Sequence, residues 1–165
     1  MWDAVETRVL IECEALHRAI AAGGDAWEAK IVAAFHALSL KTKRFDARVQ
    51  LSSDEIQEIE TSHCAFHRAL LETCGSPRLL DLADKLYAET ERYRQPTLTG
   101  AGFAGRDVPR EHREIMEATL ARDVACACDL LATHYRRTAA LVEQELKTDR
   151  QNGKGPAAGS HRPRT

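Results

Sequence analysis

The sequence predicts an all-α protein, an antiparallel six-helix bundle, on three observations. Apolar residues recur at helical spacing along nearly the whole chain, and no stretch gives a convincing strand period. Ala, Leu, Glu and Arg are abundant, and long stretches carry neither Gly nor Pro. The sharpest punctuation, Gly75-Ser76-Pro77, joins a helix-ending Gly, a capping Ser and a first-turn Pro.

The first helix is expected from about Asp3 to Ala22, with the apolar stripe Val5, Val9, Cys13, Leu16 and Ile20, and Gly23-Gly24 ends it. Asp25 and Glu28 have the spacing of a capping box opening a second helix through Ile31, Phe35 and Leu38. Lys41 to Gln50 reads as a charged connection. Ser52 and Glu55 repeat the capping-box spacing ahead of a third helix bearing Ile56, Ile59, His63, Phe66, His67 and Leu70. After Gly75 a fourth helix carries Leu79, Leu80, Ala83, Leu86, Tyr87 and Thr90 and fades past Arg94. Gln95 to Arg106 reads as a Gly-rich loop. Asp107 caps a fifth helix with His112, Ile115, Met116 and Thr119 on its inner face. Asp123 caps a sixth with Ala127, Leu131, His134, Thr138 and Leu141. Residues 1–148 are thus read as one helical domain. Residues 149–165, rich in Gly, Pro, Ser and basic side chains, are read as a disordered polar tail.

Composition narrows the function classes. The chain has 165 residues, 44% apolar and 29% charged, which suits a single soluble core. A net charge of −2 gives no overall basic field for nucleic acid. No apolar run approaches the ~20 residues that span a bilayer, and no signal-peptide pattern opens the chain. The five cysteines form no C-x-x-C pair and read as reduced thiols in a cytoplasmic protein. Gly100 to Gly105 matches G-x-G-x-x-G by letter, but no strand precedes it, so a dinucleotide site is excluded.

Four histidines carry the chemistry. His63 and His67 stand at i and i+4 on one helix face, inside its apolar stripe. His112 and His134 fall on the apolar stripes of two further helices. Any one of them could be an ordinary hydrogen-bonded core histidine; four on three inward faces point to a metal site. Neutral imidazole suits Zn²⁺, Ni²⁺ or a similar divalent ion.

At these residues the chain resembles a family. His63-Cys64-Ala65-Phe66-His67-Arg68-Ala69-Leu70, then Cys74-Gly75-Ser76-Pro77-Arg78-Leu79-Leu80, looks like the signature of the FadR-type C-terminal ligand-binding (FCD) domain of GntR regulators. Glu111-His112-Arg113-Glu114-Ile115, Ala121-Arg122-Asp123 and His134 follow in the family's order. The resemblance covers about Asp3 to Leu146. It implies an all-α bundle that forms a homodimer, holds a divalent metal through one Asp and three His, and docks a small carboxylate effector on that metal. His67, His112 and His134 match the three family histidines. His63 stands where the family usually has Asp, which leaves the ion's charge less compensated and favours an anionic ligand.

Arg8 lies on the first helix's apolar stripe, four residues before Glu12. The resemblance makes it an anchor for the effector carboxylate, a task suited to the arginine fork; the competing reading is a simple intrahelical pair with Glu12. Arg94 and Tyr93 are further effector candidates, although a solvated helix end accounts for them as well. The run from Leu86 to Arg94 also resembles a subgroup of repressors linked to C5 dicarboxylate catabolism. No helix-turn-helix pattern is visible, so DNA contact would need a winged-helix domain that this sequence lacks. The rival reading is a helical-bundle metalloenzyme using the His-ligated metal. It would need a general base near the ion, and Glu60 and Glu111 are expected to point outward or to support the ligands from behind.

Overall fold

The computed structural model describes residues 1–45, 51–94 and 106–151. They form six helices and, among the described residues, no strand: α1 (Trp2–Ala22), α2 (Asp25–Phe45), α3 (Ser53–Leu71), α4 (Pro77–Arg94), α5 (Val108–Leu120) and α6 (Val124–Gln151). No described helix is long and apolar enough to cross a membrane.

Side-chain bonds fix the packing. α1 runs antiparallel to α6, since Glu6 meets Arg136 while Cys13 meets Cys128. It runs antiparallel to α4 as well, with Arg8 on Thr90 near the end of α4 and Ala19 on Thr73 in the turn that leads into it. α2 lies antiparallel to α3 through Lys30–Glu72 and Lys41–Glu58, and α5 packs between α2 and α6. The core between these helices holds Phe66, Leu16, Ile31, Leu70, Ile115 and Leu131, all essentially out of water. Small buried residues, Ala15 and Ala19 on α1 and Ala127, Ala132 and Ala139 on α6, let those helices approach closely.

Most helix ends follow from local chemistry. The Ser52–Glu55 capping box forms in both directions, at 3.3 and 2.8 Å. Gly75 takes φ +69°, the left-handed conformation that ends a helix, and Ser76 Oγ accepts from the Leu79 amide of the next one. Asp107 and Asp123 accept from the amides of Arg110 and Cys126.

Three expectations need correction. α2 continues to Phe45, so Lys41–Phe45 is helix rather than connection. Nothing in that run breaks a helix; Thr42 back-bonds to the Leu38 carbonyl, and Lys41 reaches the Glu58 carbonyl. Asp25 sits in the first turn of α2, and the Gly24 carbonyl takes the first amides, from Trp27 and Glu28. The chain turns there because Gly23 lets the Trp27 ring close over it; a Cβ on Gly23 would fall 2.0 Å from that ring. Trp27 Nε1 in turn donates to the Ala69 carbonyl at 2.8 Å, tying α2 to α3. Finally, α6 runs to Gln151, so residues 149–151 are helical rather than tail. The rest of that tail, and the Gly-rich segment 95–105, lie outside the described residues.

Candidate metal centre

Three helices deliver four imidazoles to one point. α3 presents His63 and His67 from one face, α5 presents His112 and α6 presents His134, all buried. One ring nitrogen from each lies within 4.8 Å of the others. Ring centroids are 4.4 Å apart for His63–His67, 5.0 Å for His63–His112 and 4.6 Å for His112–His134.

Hydrogen bonds on the far side of three rings set their orientation. Tyr135 donates its hydroxyl to Glu12, so it accepts from Nδ1–H of His67, 2.9 Å away. Tyr87 lies 2.8 Å from His63 Nδ1, and its hydroxyl is directed toward Glu60. His134 Nδ1 meets Glu111 Oε2 at 2.8 Å. A guanidinium nitrogen of Arg106 is 3.2 Å from the same Nδ1 but cannot accept, so the ring proton goes to the carboxylate. The Nε2 atoms of His63 and His67 face each other across 3.1 Å. A pair of ring nitrogens this close is held by a proton on one of them or by a metal ion between them. Two nitrogens bound at ~2.0–2.1 Å to one ion lie roughly 2.9–3.4 Å apart for angles from square to tetrahedral. The donor set therefore fits a borderline divalent metal such as Zn²⁺ or Ni²⁺.

Behind the histidines stands a ring of carboxylates. Glu12, Glu60 and Glu111 are all buried, each linked to a histidine directly or through a tyrosine hydroxyl. These carboxylates orient the rings from behind, while the charges of Glu12 and Glu111 are themselves met by Arg8 and Arg106. Glu111 is gripped by Arg106 through two bonds, 2.8 and 2.5 Å, and by Arg137 at 3.2 Å. Burial pushes its carboxyl up, but the bonds from Arg106 and His134 outweigh burial and hold it well below the usual carboxylate range. Burial pushes the Tyr135 hydroxyl up, keeping it a neutral donor.

Arg8 lies beside this cluster, 98% removed from solvent and flanked by the Tyr135 and Tyr87 rings at 3.9 and 4.8 Å. Its Nε pairs with Glu12 at 2.5 Å and Nη1 donates to Thr90 at 2.8 Å. Burial works to lower its pKa; the Glu12 and tyrosine neighbours overcome that and raise it, so it stays charged. Nη2 is buried with no hydrogen-bond partner. Arg8 also lines a small cavity, with Thr90, His134 and Thr138 on its polar side and Val5 and Val142 on its apolar side.

All four predicted histidines therefore meet, and Arg8 makes the intrahelical pair with Glu12 while also lining the cavity. The side chains of Arg94 and Tyr93 lie outside the described residues. Glu60 and Glu111 turn inward behind the ligands, the second of the two placements expected for them. Sequence reasoning missed Glu12, Tyr87, Tyr135 and Arg106. The legible hint was two tyrosines on or beside apolar stripes, since a buried hydroxyl needs a polar partner.

Comparison with known proteins gives a consistent picture. The family model described as the FCD domain matches residues 3–137. An "Uncharacterized HTH-type transcriptional regulator BphR" from Paraburkholderia xenovorans (strain LB400) is 33% identical over 145 residues, covering 87% of this chain and 57% of that protein. The "HTH-type transcriptional repressor GlaR" of Escherichia coli (strain K12) is 33% identical over 147 residues, covering 87% of this chain and 64% of that one. The chain thus spans less than two thirds of the length of either relative. A crystal structure of a transcriptional regulator (GntR family member) from Pseudomonas syringae pv. tomato str. DC3000 superimposes with a TM-score of 0.73 at 22% identity, covering 92% of this chain and 58% of that one, which bears on the fold.

Proposed function

This chain belongs to the FCD domain family, and from that premise we propose that it is the effector-binding and dimerisation part of a GntR-type transcription regulator, sensing a small organic carboxylate through a His-ligated divalent metal. The single observation that carries the reading is the convergence of four buried imidazoles beside a buried, charged arginine that lines an adjoining cavity. The ion would be held by His63, His67, His112 and His134, and when bound it would supply positive charge for an anionic ligand. The chain's own part is to hold three of the rings by their Nδ1 atoms and to place Arg8 in the wall of a cavity that His134 also lines. A carboxylate there would gain a charge-assisted bond that a neutral amide cannot match. DNA contact is assigned to a winged-helix domain of a longer regulator, and the setting to the cytoplasm.

The metalloenzyme reading is less favoured. The carboxylate nearest a ligand, Glu111, is held deprotonated by Arg106 and His134, which makes it a poor base.

The test has two arms. Protein purified without a nickel column should carry about one first-row metal per chain, and His67→Ala should lose most of it; equal metal content in the two proteins would refute the site. In a thermal-shift screen, C4–C6 dicarboxylates should stabilise the metal-loaded protein and their amides should not. A ligand at a hundredfold excess over its Kd adds ~2.7 kcal/mol to folding stability. That gain should vanish on chelation and shrink in Arg8→Ala.

A further inference from the structure

We propose that Cys13 and Cys128 form a reversible disulfide, a thiol modification site oxidised by hydroperoxides. Cys13 on α1 and Cys128 on α6 face each other across the closely packed antiparallel pair. Each thiol points at the other residue's backbone carbonyl, at 3.6 Å in both directions. With each sulfur against the other residue's backbone, rotation of the two side chains toward each other would bring the sulfurs to the ~2.05 Å of an S–S bond.

Both thiols are half-buried and line an open surface groove with Leu10, Glu14, His17 and Asp129, so a small oxidant can reach them from solvent. Hydrogen bonding couples the two thiols, so that ionising one disfavours ionising the other. One of the pair, as thiolate, attacks a peroxide oxygen, breaking the O–O bond to give a sulfenic acid and hydroxide. The other sulfur then attacks the sulfenic sulfur; the S–S bond forms and the oxygen leaves as water. The thiols lose two electrons and two protons, and one hydrogen peroxide becomes two waters. A pair fixed in place this way avoids the strain that distant cysteines would need to bridge.

The remaining cysteines provide internal controls. Cys126 is exposed, and Cys64 is half-buried with its thiol pushed up by burial and by Asp84. Exposure alone would select Cys126 first.

The experiment treats the metal-free full chain with hydrogen peroxide under native conditions, followed by differential alkylation and peptide mass spectrometry. The proposal expects a loss of two free thiols out of five, a linked Cys13–Cys128 peptide, and full recovery with dithiothreitol. Cys13→Ser or Cys128→Ser should instead accumulate a dimedone-trappable sulfenic acid on the remaining partner, and Cys126→Ser should cross-link as the parent does. Should either variant fail to fold, the linked peptide in the parent still decides. Oxidation that starts at Cys126, a linked peptide between any other pair, or sulfinic acid on Cys13 or Cys128 without a link would overturn the proposal.

Discussion

Among single residues, the least obvious contribution is that of Glu111. It touches no candidate metal position, yet it fixes the tautomer of His134 and carries charge that the His-only set lacks. Supporting groups of this kind are commonly worth 10–100-fold in metal affinity. Glu111→Gln keeps the shape and an oxygen acceptor but removes the charge, so the metal Kd, read by competition with a chromophoric chelator, should rise by ~10–100-fold. An unchanged Kd would mean that His134 needs no carboxylate behind it. The histidines themselves were legible in the sequence, because helical period alone puts His63 and His67 on one face and His112 and His134 on buried stripes. Their supports were not. Glu12, Glu60 and Glu111 sit beside apolar stripes, where charged residues normally face water. Glu12 and Glu111 are buried against arginines, one on their own helix and one from the segment before α5, and the hydroxyls that join Glu12 and Glu60 to histidines come from other helices. A pairing that depends on what the neighbouring helix brings cannot be read from one helix at a time.

For the helices, the ends were the most readable feature and also the place of error. Ser52, Ser76, Asp107 and Asp123 cap as their side-chain chemistry dictates, since each offers an oxygen to a first-turn amide. The α2 boundaries were misjudged because Lys and Thr tolerate helix well and because Trp27 closing on Gly23 is a tertiary event. Two left-handed residues allow a comparison. Gly75 has open space around its Cα, so Gly75→Ala should cost only the backbone term, ~1–2 kcal/mol in urea unfolding. Arg122, at φ +60°, adopts the same conformation without being Gly. Its guanidinium reaches the Ile20 carbonyl and Glu28, both at 2.5 Å, and lies over the Trp27 ring. Arg122→Gly should relieve the strain and partly repay those lost contacts, whereas Arg122→Ala loses them and keeps the strain. The Ala variant should therefore be the less stable by ~1 kcal/mol. The reverse order in matched urea titrations would show that the turn is not strained.

Across the whole molecule, the core and the candidate metal centre are separable. Phe66, Leu16, Ile31, Leu70, Ile115 and Leu131 pack without help from an ion, so a chelated protein should keep its helical circular dichroism while its Tm falls. Loss of helicity on chelation would instead make the metal part of the fold. The all-α architecture was fully legible, because it rests on a period repeated in six helices; the cavity was not, because it forms between α1, α4 and α6 from residues far apart in the chain. Its mouth has one further feature. Met1 lines the cavity together with Val5, Ala139 and Val142. The first turn of α1 is thus a piece of the cavity wall, and a molecule filling that space would press on α1 itself. The tilt of that helix and the occupancy of the cavity would be two readings of one coordinate.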